Sequence, residues 1–251
     1  QMAIATLVRL DGGQAQHWSA AEAAPGSLPP DWHALLRHGI LASENDPVDP
    51  MERAFHTLGA QQLPPPPPGW QLVHEYGLAP DWPVMTHVWQ APGARRANVA
   101  LKGAPESVTR LCRLDAAAAE QLQAQAQALA SQGQRVLAVA RAEWPDGTPW
   151  PDSPQAFDCT LLGLVALSDP LRDNVPQAVR DCQAAGIRVL MITGDHPVTA
   201  QAIARQAGIA GAEGLLLGAQ VAALDGAALR EAVARTAVFA RVAPQQKLRI
   251  V

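Results

Sequence analysis

From Cys159 onward, short apolar runs alternate with helix-length segments, and this alternation constrains the fold more than any other feature. Residues 160–167 form a continuous apolar run of strand length. Residues 174–185 are amphipathic and close at Gly186, and residues 187–192 are again apolar and β-branched. Residues 197–206 read as a helix with Gly208 behind it, and 215–217, 227–235 and 237–240 continue the series. Buried strands separated by helices imply right-handed crossovers and a parallel, doubly wound sheet.

The region before Cys159 has another texture. It holds all seven tryptophans and most of the prolines, with an unbroken proline run at residues 64–68. That run reads as an exposed polyproline II connector. A ligand for a proline-binding module is the alternative, set against the ordinary strand and helix on either side. Residues 4–10, 72–76, 85–90, 99–102 and 135–140 have strand character. Asp115, the alanine- and glutamine-rich residues 116–132 and Gly133 spell a capped helix with a stop. Strands mixed with helices in this way predict an α+β domain on an antiparallel sheet. The fold class expected is therefore α/β: an α+β domain at residues 1–157, then part of a doubly wound parallel domain at 158–251.

Composition removes several function classes. With 48% hydrophobic residues, 17% charged residues and a net charge of −4, the chain is globular and offers no basic face for nucleic acid. Cys112, Cys159 and Cys182 lie far apart, as reduced thiols do, with neither disulfide nor zinc spacing, and no metal ligand set is expected. The longest strongly apolar run, residues 161–167, falls well short of the roughly 18 residues of a membrane span. No membrane insertion by this stretch and no signal peptide at Gln1-Met2-Ala3 are expected.

Four segments carry chemistry. In residues 189–196 a buried strand ends in Thr193, Gly194 and Asp195 and a helix follows at once. Ligands sit at the carboxyl ends of parallel strands, where a hydroxyl and free backbone N–H groups hold phosphate and glycine admits it closely. The same residues also fit a plain turn with Asp195 as helix cap. Residues 168–173 place Asp169 and Arg172 after another strand, to position charge, to lock a hinge, or as a surface ion pair. Residues 239–247 deliver Arg241 and Lys247 near the same sheet edge, where an ammonium suits a phosphoryl group as its charge shifts; a solvated lysine is the plainer reading. Residues 101–106 end a strand in Lys102, Gly103 and Pro105. This is a turn with a cation at its lip, suited to a nucleotide pocket or equally to a hairpin corner.

In this order and at these separations, the segments resemble the cytoplasmic domains of P-type cation-transporting ATPases, most closely the calcium-pump-like bacterial branch. The motif Lys-Gly-Ala-Pro-Glu stands at residues 102–106, Thr-Gly-Asp at 193–195, and Phe-Ala-Arg-Val at 239–242 with Pro244 and Lys247 behind. Asp49-Pro50-Met51-Glu52 is similar to the family's Asp-Pro-x-Glu, and Arg135 stands where the family carries an arginine before an apolar strand.

The resemblance implies a nucleotide-binding domain, its first few residues a connector, followed by part of a haloacid-dehalogenase-like phosphorylation domain. Glu52, Lys102 and Arg135 would line the adenine and phosphate pocket. Thr193 and Gly194 would contact the phosphoryl group, Lys247 would balance its charge, and Asp195, Asp169, Arg172 and Arg241 would organise the site. ATP and Mg²⁺ are the implied cofactors. The implied partners are the transmembrane and actuator domains of a pump, and the place is the cytoplasmic side of a membrane. The family's phosphorylated Asp-Lys-Thr-Gly-Thr is expected before Met2 and its second metal-binding motif after Val251, so this piece is expected to bind nucleotide without hydrolysing it.

Two departures point to weak binding. The usual aromatic under adenine is replaced by Leu78, which forgoes stacking worth about 1 kcal/mol. The basic residues that normally follow are Asp81, Trp82 and Pro83 here. ATP affinity is expected in the millimolar range, about −4 kcal/mol. A standalone haloacid-dehalogenase-like phosphatase is the alternative, but near the first strand only Asp11 could serve as its nucleophile.

Overall fold

Gly12 and Gly13, both in the left-handed region at φ +55° and +80°, close a tight hairpin between β1 (Ala3–Asp11) and β2 (Gln14–Ser19). Two positive φ values in a two-residue loop suit the right-handed twist of the paired strands. The computed structural model describes residues 2–21, 23–79, 82–169 and 171–251. They divide into two units: residues 1–126 with 136–168, and residues 127–135 with 169–251.

In the first unit, proline and aspartate set the helix starts. Pro30 opens α1 (Pro30–Leu41), and Pro50 opens α2 (Pro50–Gln62), where the Asp49 carboxylate accepts from Met51 N at 2.7 Å. Strands β3 (Gln71–Tyr76), β4 (Val84–Gln90) and β5 (Arg96–Gly103) follow as a meander, then α3 (Pro105–Leu111), α4 (Ala116–Ser131), β6 (Arg135–Pro145) and β7 (Thr160–Ser168), with the end of α4 and the first residue of β6 counted in the second unit. The seven strands lie in the order β2-β1-β7-β6-β5-β4-β3. Helices α1 and α2 cover one face of this sheet, burying Trp32, Leu35, Leu36, Phe55 and Leu58 against Ile4, Leu7, Val139, Val165 and Leu167. The proline run at residues 64–68 is exposed and belongs to no helix or strand, as a connector should be.

Two expectations change here. Residues 160–167 do not open the parallel sheet; β7 pairs antiparallel with β1 and lies inside the large sheet. A central strand is buried on both faces whichever way its neighbours run, so its apolar run does not reveal the partner. The turn after Lys102 leads straight into α3, opened by Pro105, and is no hairpin corner.

In the second unit, Met191–Ile192 (β8), Leu215–Leu217 (β9) and Val238–Ala240 (β10) form a parallel sheet in the order β8-β10-β9. Between β7 and β8 runs α5 (Val175–Ala184). Helix α6 (Pro197–Gln206) packs its alanines on Val238 and Ala240. Helices α7 (Gly218–Ala223), α8 (Gly226–Arg235) and α9 (Pro244–Ile250) bury Val221, Leu229 and Ile250 against Phe239 on the opposite face. Alternation along β10 thus feeds two cores, as a doubly wound sheet demands. The expected strand at 187–192 shrinks to its last two residues. Ile187 is 58% exposed, and Arg188 holds the approach by donating to the carbonyls of Val233 and Thr236.

Candidate functional site

Because β8 and β10 are parallel neighbours, the loops after both leave the sheet at one edge. Thr193, Gly194 and Asp195 follow β8, while Arg241 and then α9 with the exposed Lys247 follow β10. Backbone bonds join the two loops: Thr193 N to Phe239 O (2.9 Å), Val242 N to Thr193 O (3.0 Å) and Arg241 N to Asp195 O (3.1 Å). Arg241 sits at φ +53°, a strained value for a side-chain-bearing residue. Its carbonyl lies where a Cβ on Gly218 would stand, 2.2 Å away, so glycine is required there.

Within this edge the Thr193 hydroxyl donates to Asp195 Oδ2 at 2.8 Å and accepts from Asp195 N at 3.1 Å. Arg135, part of the same unit, clamps Asp195 with both ends of its fork, Nε to Oδ1 at 2.9 Å and Nη2 to Oδ2 at 3.0 Å. Such paired, charge-assisted bonds fix direction as well as distance. Asp195 is therefore not the helix cap; His196 takes that place, its Nδ1 accepting from Val198 N. A Cβ added to Gly194 would meet only Val242 O, at 4.0 Å, so this backbone lies open to an approaching group. Asp169 and Arg172 lie exposed between β7 and α5, and Pro170 between them falls outside the described residues.

Of the expected trio Glu52, Lys102 and Arg135, the first unit brings together Glu52 and Lys102 alone, while Arg135 stands in the second unit on Asp195. Lys102 Nζ donates to Glu52 Oε1 at 2.6 Å and to Ser43 Oγ at 2.5 Å, with the Phe55 ring centre 5.6 Å away. The pair is closed in: the two side chains are only 8% and 12% exposed. Burial pushes the Lys102 ammonium below its ordinary value, and the Glu52 carboxylate, by hydrogen bond and charge, works against that shift. Gly103 does not make room for a flat base. A Cβ there would stand 2.4 Å from Pro83 O and 2.8 Å from Val84 Cα, so its bareness serves strand packing. Leu78 is 65% exposed beyond the end of β3, while Pro80 and Asp81 nearby fall outside the described residues.

Sequence reasoning missed Ser43 and Phe55, which complete the Lys102 cluster from 59 residues away and from the next turn of α2. Glu52 and Phe55 are three apart on a helix, and that spacing was the available signal. A cavity of about 520 Å³ in this unit was also missed; it is lined by Arg37, His56, Pro64 to Pro67, Trp70 and Trp89, and neither Glu52 nor Lys102 lines it.

Residues 51–250 match the haloacid dehalogenase-like hydrolase family. The chain belongs to that family. A probable cation-transporting ATPase I of Mycobacterium tuberculosis is 41% identical over 160 residues, covering 60% of this chain and 10% of the relative. Calcium-transporting ATPase 1 of Lactococcus lactis is 39% identical over 133 residues, 53% of this chain and 15% of its own length. The potassium-transporting ATPase alpha chain 2 of the rat is 31% identical over 214 residues, 66% of this chain and 20% of its own. These homologues are P-type cation-transporting ATPases, as the ordered motifs implied. The chain spans only a tenth to a fifth of their length.

P-type ATPases and haloacid dehalogenase-like relatives generally use ATP and Mg²⁺. The open backbone at Gly194 and the hydroxyl of Thr193 fit a phosphoryl group. The donor set for Mg²⁺ does not fit: both Asp195 oxygens are taken by Arg135 and Thr193, and among the described residues of the second unit no three His, Cys, Asp or Glu gather. Among the described residues, no helix is long and apolar enough to cross a membrane.

Proposed function

We propose that this chain is the ATP-binding and phosphoryl-handling portion of a P-type pump that couples ATP hydrolysis to cation movement. The observation that carries the reading is the shared carboxyl edge of β8 and β10. It gathers a hydroxyl, an open glycine backbone and, on the following helix, a lysine. Bound ATP supplies the phosphoryl group to be transferred. Thr193 and the backbone after it hold that group, and the Lys247 ammonium offsets its charge. The nucleoside goes to the first unit. There the closed Lys102–Glu52 pair leads us to assign Lys102 the task of fixing the carboxylate, while Glu52 accepts from the amine of the base and Leu78 supplies apolar contact. Arg135 serves through Asp195, and Asp169, Arg172 and Arg241 shape the loops around the edge.

The residues between 1 and 251 contain no Asp-Lys-Thr-Gly-Thr, so nucleotide binding without turnover is proposed for this chain by itself. Mg²⁺ ligands, the membrane and actuator domains, and a position on the cytoplasmic side belong to the proposed whole pump. The phosphatase alternative loses its one candidate nucleophile: Asp11 ends β1 at the Gly12–Gly13 hairpin and pairs with Gln14 across an antiparallel ladder. It does not stand at the carboxyl end of a parallel strand, where this chemistry is done.

The test is an ATP titration followed by amide NMR. Shifts are expected at Glu52 and Leu78 in one unit and at Thr193 to Asp195 in the other, saturating in the millimolar range. Shifts confined to other residues, with these unmoved, overturn the assignment.

A further inference from the structure

Independently of the nucleotide reading, we propose that Glu44, Glu75 and His87 form a site for a divalent transition cation of the zinc class. Their donor atoms all lie within 4.8 Å of one another, and His87 Nε2 stands 3.9 Å from Glu75 Oε2. His87 is only 1% exposed, and among the described residues its buried Nε2 has no hydrogen-bond partner. A buried ring nitrogen without a partner costs free energy unless something fills the place, and the place it faces is flanked by two carboxylates.

The ring is prepared for this task. Nδ1 meets the carbonyl of Leu41 at 3.0 Å, and a carbonyl only accepts, so the proton resides on Nδ1. In the neutral ring that leaves the lone pair on Nε2, the nitrogen gathered with the carboxylate oxygens of Glu44 and Glu75, and the Nδ1 bond to a carbonyl holds the ring as it does in metal-binding histidines. The fold brings the donors in from separate elements. Glu75 on β3 is directly opposite His87 on β4, so both project from one face. Glu44 comes from the loop between α1 and α2, and that loop is tied at both ends of the residue. Its backbone N donates to Glu52 Oε2 at 3.3 Å, and its carbonyl meets His56 Nε2 at 2.8 Å.

One imidazole and two carboxylates, with a fourth position left for water, suit Zn²⁺. Mg²⁺ and Ca²⁺ prefer all-oxygen shells. Around Zn²⁺ at its usual bond lengths, tetrahedral donors stand about 3.3–3.5 Å apart, so the donors must close by up to about 1.5 Å. The two carboxylates can supply that movement, since both glutamates are exposed and Glu75 is 58% so. Sequence spacing hides the site because its members are 31 and 12 residues apart.

The experiment is a Zn²⁺ titration of the whole chain in competition with a chromophoric chelator, repeated with Glu44→Gln and Glu75→Gln. Both substitutions are at exposed positions, and unchanged circular dichroism is required of each. One equivalent is expected in the parent chain, with at least a tenfold loss of affinity in either variant. The ring ¹⁵N signal of His87 Nε2 should shift on loading, and Co²⁺ substituted for Zn²⁺ should show no thiolate charge-transfer band. Equal affinity in the glutamine variants, a thiolate band from Cys112, Cys159 or Cys182, an unmoved His87 signal, or binding no tighter than that of Mg²⁺ would each overturn the proposal.

Discussion

Replacing Lys102 with Met would test the closed pair of the first unit directly. The ammonium is enclosed with Glu52 and Ser43, and its loss leaves the Glu52 carboxylate, itself 12% exposed, without its counter-charge. Removing one partner of a buried pair costs about 3–5 kcal/mol. Glu52 keeps the bond from Glu44 N, and Ser43 still donates to Gly39 O, so the low end, about 3 kcal/mol, applies. With a urea slope of about 1–3 kcal/mol per molar, the midpoint should fall by roughly 1–3 M. All seven tryptophans lie in the first unit, so their fluorescence reports its unfolding alone, which matters in a chain of two units. Glu52→Gln combined with Lys102→Met removes both charges and should recover at least half of the loss, a coupling of about 1.5 kcal/mol or more. A single variant within about 0.5 kcal/mol of the parent would show that the pair is not buried in solution. A double variant as unstable as the sum of its parts would show that packing, and not charge, holds the site.

Burial and ion pairing also set three further outcomes. Burial pushes the His38 ring below its ordinary value near 6.5, outweighing its bonds to Ala34 O and Asn98. Below about pH 6.5 the unfolded chain then binds a proton that the folded one refuses, so stability is lost on acidification, and His38→Gln should flatten the fall in urea midpoint between pH 7.5 and 5.5; a parallel fall in both proteins would refute this. Burial holds the Cys112 thiol up to about 12 and that of Cys159 to about 11, so mass-spectrometric mapping at pH 8 should find both alkylated roughly a hundredfold or more slower than in urea, and equal rates would contradict the packing. Arg135→Ala, by freeing the Asp195 carboxylate, should weaken ATP-induced shifts at residues 193–195 by about five- to tenfold in affinity, and unchanged affinity would remove Arg135 from the site.

Much of the architecture was legible because the caps are local. Asp115 and Gly133 delimit α4, Pro197 opens α6, β9 stands as read, and β10 is the expected 237–240 without its first residue. Helices α1 and α2 escaped notice because their starts lie in proline-rich stretches that resemble loops, although Trp32, Leu35 and Leu36 carry a helical spacing. The sheet to which β7 belongs was not legible at all, since burial on both faces looks the same in either kind of sheet. At the candidate site, the motifs supplied Lys102, Thr193 and Asp195 as residue types at sheet ends and Glu52 at a helix start. They did not supply partners. That Lys102 binds Ser43, or that Arg135 grips Asp195 from 60 residues away, depends on chain crossings that no local pattern records.

The triangle of Thr193, Asp195 and Arg135 shows how a site can be satisfied and still ready. Thr193 spends its proton on Asp195 Oδ2, while its oxygen is held by Asp195 N. For the hydroxyl to turn toward a phosphoryl oxygen, only the proton has to rotate; the backbone bond keeps the oxygen in place. The rotation forfeits one hydrogen bond, worth about 1 kcal/mol net, and would be dearer if it left a half-buried carboxylate bare. It does not, because the guanidinium already engages both carboxylate oxygens, and the charge on Asp195 stays paired whichever way the hydroxyl points. In the proposed phosphoryl site the arginine would leave the threonine hydroxyl free to turn, and the neighbouring glycine, open on its outer side, would leave room for the group it turns to meet.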